Sequence, residues 1–181
     1  MMDDLFGKNY FDIFNSPVTF NIDLNSLAVL YRDLQKVVHP DRFASGSDKD
    51  RRLAMQKTSH INQAYQTLKD PVTRAQYMLQ LQGVETNAET DTTMDTEFLM
   101  EQMEIREAIS EVREQAHPFD ELDKLTENMR GKLTQLAEQF VTHFNNNNYE
   151  QAREMVRKMQ FVNKAQADIA EIAEELENQL L

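Results

Sequence analysis

The chain has no cysteine among its 181 residues. That absence excludes disulfides, thiol catalysis and cysteine-ligated zinc or iron–sulfur sites, and it suits a reducing compartment. Glycine and proline are scarce, at four each. Gly46, set between two serines, is not followed by the Gly-Lys-Ser/Thr that a phosphate-cradling loop needs, so it reads as a turn. No apolar run reaches the roughly eighteen residues of a membrane span. The start, Met1 to Phe6, is acidic and has no apolar stretch of signal-peptide length. A protein of the cytoplasm, with no membrane partner, is the expectation. Glutamate is missing from the first 83 residues altogether.

What is present favours helix. Gln, Glu, Leu, Ala and Met abound, and 40% of the residues are hydrophobic, enough for a packed core. Charge divides the chain in two. Residues 1–83 hold ten Lys/Arg against nine Asp, a balance of +1, whereas residues 84–181 hold nine Lys/Arg against twenty-two Asp/Glu, a balance of −13. Such different halves predict two domains with different partners. An acidic half also argues against nucleic acid, whose binding rests on cations that neutralise phosphates.

The most informative stretch runs from Leu34 to Phe43. Leu27, Leu30, Tyr31, Leu34, Val37 and Val38 recur at the spacing of one helical face, which predicts a helix from about Leu24, capped by Asp23, to Val38. Pro40 must end it, because proline lacks an N–H and drives the residue before it out of the α region. His39, Pro40 and Asp41 are therefore displayed at a corner. Arg32 and Lys36 lie on the helix face away from the leucines, and Arg42 follows in the loop. Tyr10, Phe11 and Phe14 read as apolar plugs ahead of this helix. A second helix from about Lys49 to Leu68 presents Leu53, Ile61, Ala64, Tyr65 and Leu68. A third, Val72 to Gln82, follows Asp70-Pro71, presents Ala75, Tyr77, Met78, Leu79 and Leu81, and stops at Gly83.

A His-Pro-Asp corner between two antiparallel helices, followed by Ile61 to Tyr77, resembles the J domain of DnaJ-type co-chaperones over residues 9–82. The resemblance implies a module that stimulates ATP hydrolysis by a DnaK-type chaperone. Arg42 stands where many J domains carry lysine, which keeps the charge.

Residues 84–96 are polar, threonine-rich and aperiodic, a connector between a domain at 1–83 and one at 97–181. Three amphipathic stretches follow: Glu97–Gln115, Phe119–Phe144 and Tyr149–Leu181. Short connectors predict antiparallel neighbours, hence a three-helix bundle and an all-α protein. The expected core is Phe98, Ile105, Ile109, Val112 and Ala116 on the first helix and Leu122, Leu125, Met129, Leu136 and Phe140 on the second. The third contributes Met155, Met159, Val162, Ile169, Ala173, Leu176 and Leu180, interrupted at Gln166. At about 100° per residue, Leu99, Met100 and Met103 fall on the far side from Phe98 and Ile105, together with Glu104, Glu107 and Glu111. Three large apolar residues among carboxylates on a helix read as a docking patch. Phe161 points off the seam of the last helix, towards either the bundle rim or a partner.

The stretches Asp95 to Glu107 and Val156 to Phe161 resemble the C-terminal domain of the HscB family, J proteins dedicated to iron–sulfur cluster biogenesis. With the J-like half, the resemblance covers nearly the whole chain. It implies two partners, the specialised chaperone HscA and the cluster scaffold IscU. The chaperone-facing residues would be His39, Pro40, Asp41, Arg32, Lys36 and Arg42. The scaffold-facing residues would be Leu99, Met100, Met103, Glu104, Glu107, Glu111 and Phe161. Some eukaryotic relatives add a cysteine zinc module at the N-terminus, which this chain lacks.

Other functions find little support. The four histidines, His39, His60, His117 and His143, have no HExxH or other metal spacing, and no serine sits in a nucleophile elbow. No Glu-x-x-His pair falls within the three C-terminal helices, which disfavours a di-iron bundle. Neither catalysis nor a cofactor is expected. Two alternatives stay open: a general J protein that handles unfolded clients through methionine-rich surfaces, and a helical scaffold that oligomerises through the acidic bundle.

Overall fold

A computed structural model describes residues 5–39, 47–86 and 96–179. Every regular element among them is helical. The chain divides into two compact units, Met1–Leu81 and Gln82–Leu181.

The first unit opens with a 3-10 turn at Leu5–Gly7 and a short helix α1 (Tyr10–Ile13). Helix α2 (Leu24–Val38) begins where Asp23 accepts from the Asn25 N–H at 2.9 Å and from the Ser26 hydroxyl at 2.6 Å. Helix α3 (Asp48–Lys69) starts from a capping box in which the Ser47 and Asp50 side chains each accept from the other's backbone N–H. Helix α4 (Pro71–Leu81) has proline in its first turn, and Asp70 Oδ1 accepts from the Thr73 N–H at 2.8 Å. Gly83, at φ +74°, supplies the left-handed residue after α4.

The hairpin of α2 and α3 is joined by specific contacts. Tyr31 and Tyr65 stack with ring centres 4.0 Å apart, and the Tyr31 hydroxyl donates to Asn62 Oδ1 at 3.0 Å. Phe11 and Phe14 are fully buried as expected, and Tyr10 stacks on Tyr77 while donating its backbone N–H to the Tyr77 hydroxyl. The His60 ring meets those of Phe6 and Tyr10, with centres 5.3 and 5.6 Å away. Arg74, buried at 6% exposure, donates to the Leu68 carbonyl and covers the Phe20 ring, a core role that the periodicity of α4 did not suggest.

In the second unit, α5 (Thr96–Glu111) runs into a 3-10 turn at Val112–Glu114, followed by α6 (Pro118–Asn145) and α7 (Tyr149–Gln179). Glu101 pairs with Lys132 of α6, while Phe98 meets Phe161 and Arg113 pairs with Glu175, both of α7. These cross-links make α5 parallel to α7 and antiparallel to α6. The turn between α6 and α7 closes through Asn147 at φ 58° and a bond from the Asn148 N–H to the His143 carbonyl.

Several expected core positions move. Val37, Leu53 and Leu81 are exposed, whereas Ala54 and Val72, which the stripes did not include, are buried. Each is the flank residue of a stripe whose centre was read correctly; on a helix a shift of one residue swings a side chain by about 100°. Val112 is buried as expected, whereas Ala116 is exposed because α5 has given way to the 3-10 turn before reaching it. Gln102 completes the α5 seam. On α7 the buried seam is Ala152, Val156, Met159, Val162, Ala165, Ile169 and Ile172. Met155, Ala173 and Leu176 are half-buried, and Ala165 carries the seam past Gln166. Having two helices to cover, α7 hides a wider face than one stripe, wide enough to bury Arg157 beside Glu154. Leu180 lies outside the described residues.

Phe140 is fully buried, its ring centre 5.5 Å from that of Phe144. Phe140→Ala is expected to lower the stability of the second unit by about 3–5 kcal/mol in urea unfolding, and Met155→Ala by about 1 kcal/mol. Equal losses would show that the α7 seam runs through Met155 after all.

Candidate interaction surfaces

The first surface is built at the end of α2. His39 caps the helix with φ −55° and ψ 130°, the extended conformation that a following proline demands. Its side chain is exposed. The Val38 side chain is buried, and the Val38 carbonyl, which has no acceptor role left within the helix, receives the Thr58 hydroxyl of α3 at 3.3 Å. Thr58 thus fixes the point from which the corner departs. Sequence reading missed it, since one threonine on a polar helix face carries no periodic signal. Pro40, Asp41 and Arg42 lie outside the described residues.

Arg32 and Lys36 are both exposed on α2, away from Leu27 and Val38. The Arg32 Nε donates to the Ala28 carbonyl, and the Lys36 ammonium pairs with Asp33 at 3.0 Å. The far side of the corner is closed by the Ser47–Asp50 box. Hydrogen bonds from the Ser47 side chain and backbone hold the Asp50 carboxyl below the usual aspartate range.

The second surface is the outer face of α5. Phe98, Gln102, Ile105 and Ile109 are buried, whereas Leu99, Met100 and Met103 are exposed by 42%, 59% and 69%. Glu104, Glu107 and Glu111 are exposed beside them. An apolar strip rimmed by carboxylates is therefore present on α5. Phe161 is half-buried, packed edge-on against Phe98 at 5.7 Å with the Arg106 guanidinium over its ring. It helps to seat α5 on α7 and leaves only part of its ring to a partner.

Beside the strip lies a groove of about 660 Å³ lined by Glu97, Phe98, Met100, Glu101, Glu104 and Lys158. The Lys158 ammonium sits 5.1 Å above the Phe98 ring. Burial first, and the Lys158 charge second, pull the Lys132 ammonium below the usual lysine range; Glu101, paired with it, favours the charged form. Glu97 and Glu101 share the helical spacing of Glu104 and were legible in principle. Lys158 was not, because it reaches the groove from another helix.

Among the described residues no cluster of three or more His, Asp or Glu is placed to hold a metal ion. No helix among the described residues is long and apolar enough to cross a membrane.

Comparison with known proteins agrees with this division. Residues 9–77 match the DnaJ domain model, and residues 94–170 match the HSCB C-terminal oligomerisation domain. The two together define a J-domain co-chaperone, a class of binding protein rather than of catalytic enzymes. The chain is 40% identical to the co-chaperone protein HscB homologue of Shewanella baltica strain OS195 over 171 residues, covering 93% of this chain and 98% of that one. Among solved structures, chaperone HscB from Vibrio cholerae superposes with a TM-score of 0.82 at 37% identity, over 96% of this chain and 100% of that one. Human co-chaperone HscB gives 0.83 at 28% identity, over 96% and 84%. The chain belongs to the HscB co-chaperone family.

The depressed Asp50 carboxyl gives the corner a pH dependence. A carboxylate whose pKa is lowered by folding contributes stability above its ordinary value, 3.8, and loses it as the pH falls through the depressed one. Amide protection of the first turn of α3, taken relative to the intrinsic exchange rate at each pH, is therefore expected to fall below about pH 3.8 in the native chain and to be already low at neutral pH in Asp50→Asn. Unchanged protection in Asp50→Asn would remove the box from the account of the corner.

Proposed function

We propose that this co-chaperone stimulates the ATPase of a DnaK-type chaperone, HscA, through the α2 corner, and delivers to it the iron–sulfur scaffold protein IscU, bound on α5. The observation that carries the proposal is the pairing on one chain of two unlike surfaces. One is a helix stop at His39 in a DnaJ-matching unit, with exposed Arg32 and Lys36. The other is an uncovered strip of Leu99, Met100 and Met103 between carboxylates in a unit that matches the HSCB domain. The division 1–83, 84–96 and 97–181 fits these two roles.

Physically, both roles are binding. At the corner, Asp41 supplies a carboxylate acceptor and Arg32, Lys36 and Arg42 supply cations. Their contacts bias the chaperone towards hydrolysis to the extent that they favour one of its states over the other. On α5 the three apolar side chains, with the outer part of Phe161, form the contact centre. Glu104, Glu107 and Glu111 form a polar rim that steers a basic partner. The match of residues 94–170 to an oligomerisation domain favours a second reading, in which the same strip joins copies of this chain. Sedimentation of the free chain separates the two: a monomer that binds scaffold supports delivery, and a self-associated species dissolved by alanine at the strip supports oligomerisation.

His39→Gln or Asp41→Asn is expected to abolish stimulation of the chaperone while changing stability by no more than about 0.5 kcal/mol, the usual range for substitutions that touch no core contact. Undiminished stimulation by both variants would end the J-domain reading. Alanine at Leu99, Met100 and Met103 together is expected to weaken scaffold binding by about 2 kcal/mol or more in calorimetric titration. Glu104→Lys should mainly slow association and flatten its salt dependence. Wild-type affinity in the triple variant would reduce the strip to idle surface.

A further inference from the structure

The solvent face of α2 does not present its cations freely. Within a little over one turn it carries Arg32, Asp33 and Lys36, flanked by Val29 and Val37, which are 49% and 43% exposed. The Lys36 Nζ lies 3.0 Å from Asp33 Oδ1, the two side chains being 75% and 61% exposed. Arg32 is turned along the helix, its Nε donating to the Ala28 carbonyl at 3.2 Å. Both α2 cations assigned to the chaperone are thus engaged within the helix itself.

Helix stability gives weak reason for an aspartate at this position. Asp33 lies in the interior of α2, where aspartate is among the poorer helix formers, and an exposed pair three residues apart stabilises a helix only slightly. It contacts no core. Its effect on the surface is larger: it cuts the net charge of this face from +2 to +1 and offers Lys36 a carboxylate of its own.

We propose that Asp33 is an internal competitor for the carboxylates of the chaperone, holding Lys36 in the free co-chaperone and releasing it on docking. The inference rests on the chaperone reading above and adds a residue that sets affinity. The partner it implies is an acidic surface with apolar contacts for Val29 and Val37. Docking then exchanges one exposed carboxylate for another around Lys36, so the ammonium is never left desolvated without a counter-charge. Because each pair is screened and weak, such an exchange keeps the complex short-lived, as a co-chaperone that must act repeatedly requires.

The test uses the full chain and measures chaperone ATP hydrolysis against co-chaperone concentration for wild type, Asp33→Asn, Lys36→Gln and the double variant. At low salt, Asp33→Asn is expected to lower the half-maximal concentration by about three- to fivefold, the scale of one exposed ion pair. The gain should vanish at about 0.5 M salt, where the screening length is only a few ångströms. In the Lys36→Gln background the same change should give less than about a 1.5-fold gain, as coupling between paired residues requires. Circular dichroism should show the same helix content in all four chains. A half-maximal concentration for Asp33→Asn equal to or above wild type at low salt overturns the proposal. So does an equal gain with and without Lys36, which would mean long-range repulsion rather than competition. If the wild-type chain does not stimulate at all, the chaperone reading itself falls, an outcome distinct from both.

Discussion

A residue that precedes proline cannot stay helical, and the first unit is arranged around that constraint. At His39 the backbone turns to ψ 130° in the middle of a chain that otherwise favours helix. The reversal leaves the carbonyls of the last α2 turn without partners, and Thr58 of α3 answers one of them at Val38. It also obliges α3 to nucleate afresh, which the Ser47–Asp50 box provides. Between these anchors, the Tyr31–Tyr65 stack and the buried Ile61, Ala64 and Leu68 set how α2 and α3 pack. Each side of the corner thus has its own anchor, the Thr58 hydroxyl at Val38 and the capping box at Ser47.

The second unit follows a different constraint. A helix laid in the groove between two others can hide only about half its circumference, so α5 must leave a face outside. Its inner face is fixed by Phe98 on Phe161, by Glu101 on Lys132 and, one turn beyond its end, by Arg113 on Glu175. What chemistry the outer face carries is then free to serve binding. A stretch selected only for solubility would place charge at 99, 100 and 103; this one places Leu and two Met there, and confines its charge to the flanks.

Sequence periodicity located the helices well because strong signals bound them: Asp23 as the cap of α2, Pro40 as its stop, and Pro71 in the first turn of α4. It located faces less well. Val37 and Leu53 were assigned to the core on hydrophobicity, although neighbours one residue away fill that space, and Ala152, Ala165 and Ala54 were overlooked because alanine is apolar without being conspicuous. Buried cations were invisible for a related reason. Arg74 and Arg157 hide long aliphatic stems while their charged ends find the Leu68 carbonyl and Glu154, and nothing in the spacing of either residue announces that partner. The α5 strip, by contrast, could be read in full, since a helical wheel needs only one helix. The Lys158 side of the groove could not, because it depends on how α5 and α7 are set against each other.

The charge division ties the two units together in function. A face whose cations are offset by Asp33, and a strip surrounded by glutamates, differ in the sign of the field they present, so neither is a good partner for the other's ligand. Like-charge juxtaposition penalises the wrong pairing more reliably than attraction rewards the right one. Under the proposed function, separation of sign along one chain lets each partner find its own surface without competition for a shared one. The acidic unit gains steering range from its excess of glutamate. The first unit, with nearly balanced charge, has little steering range and relies on contacts of short reach.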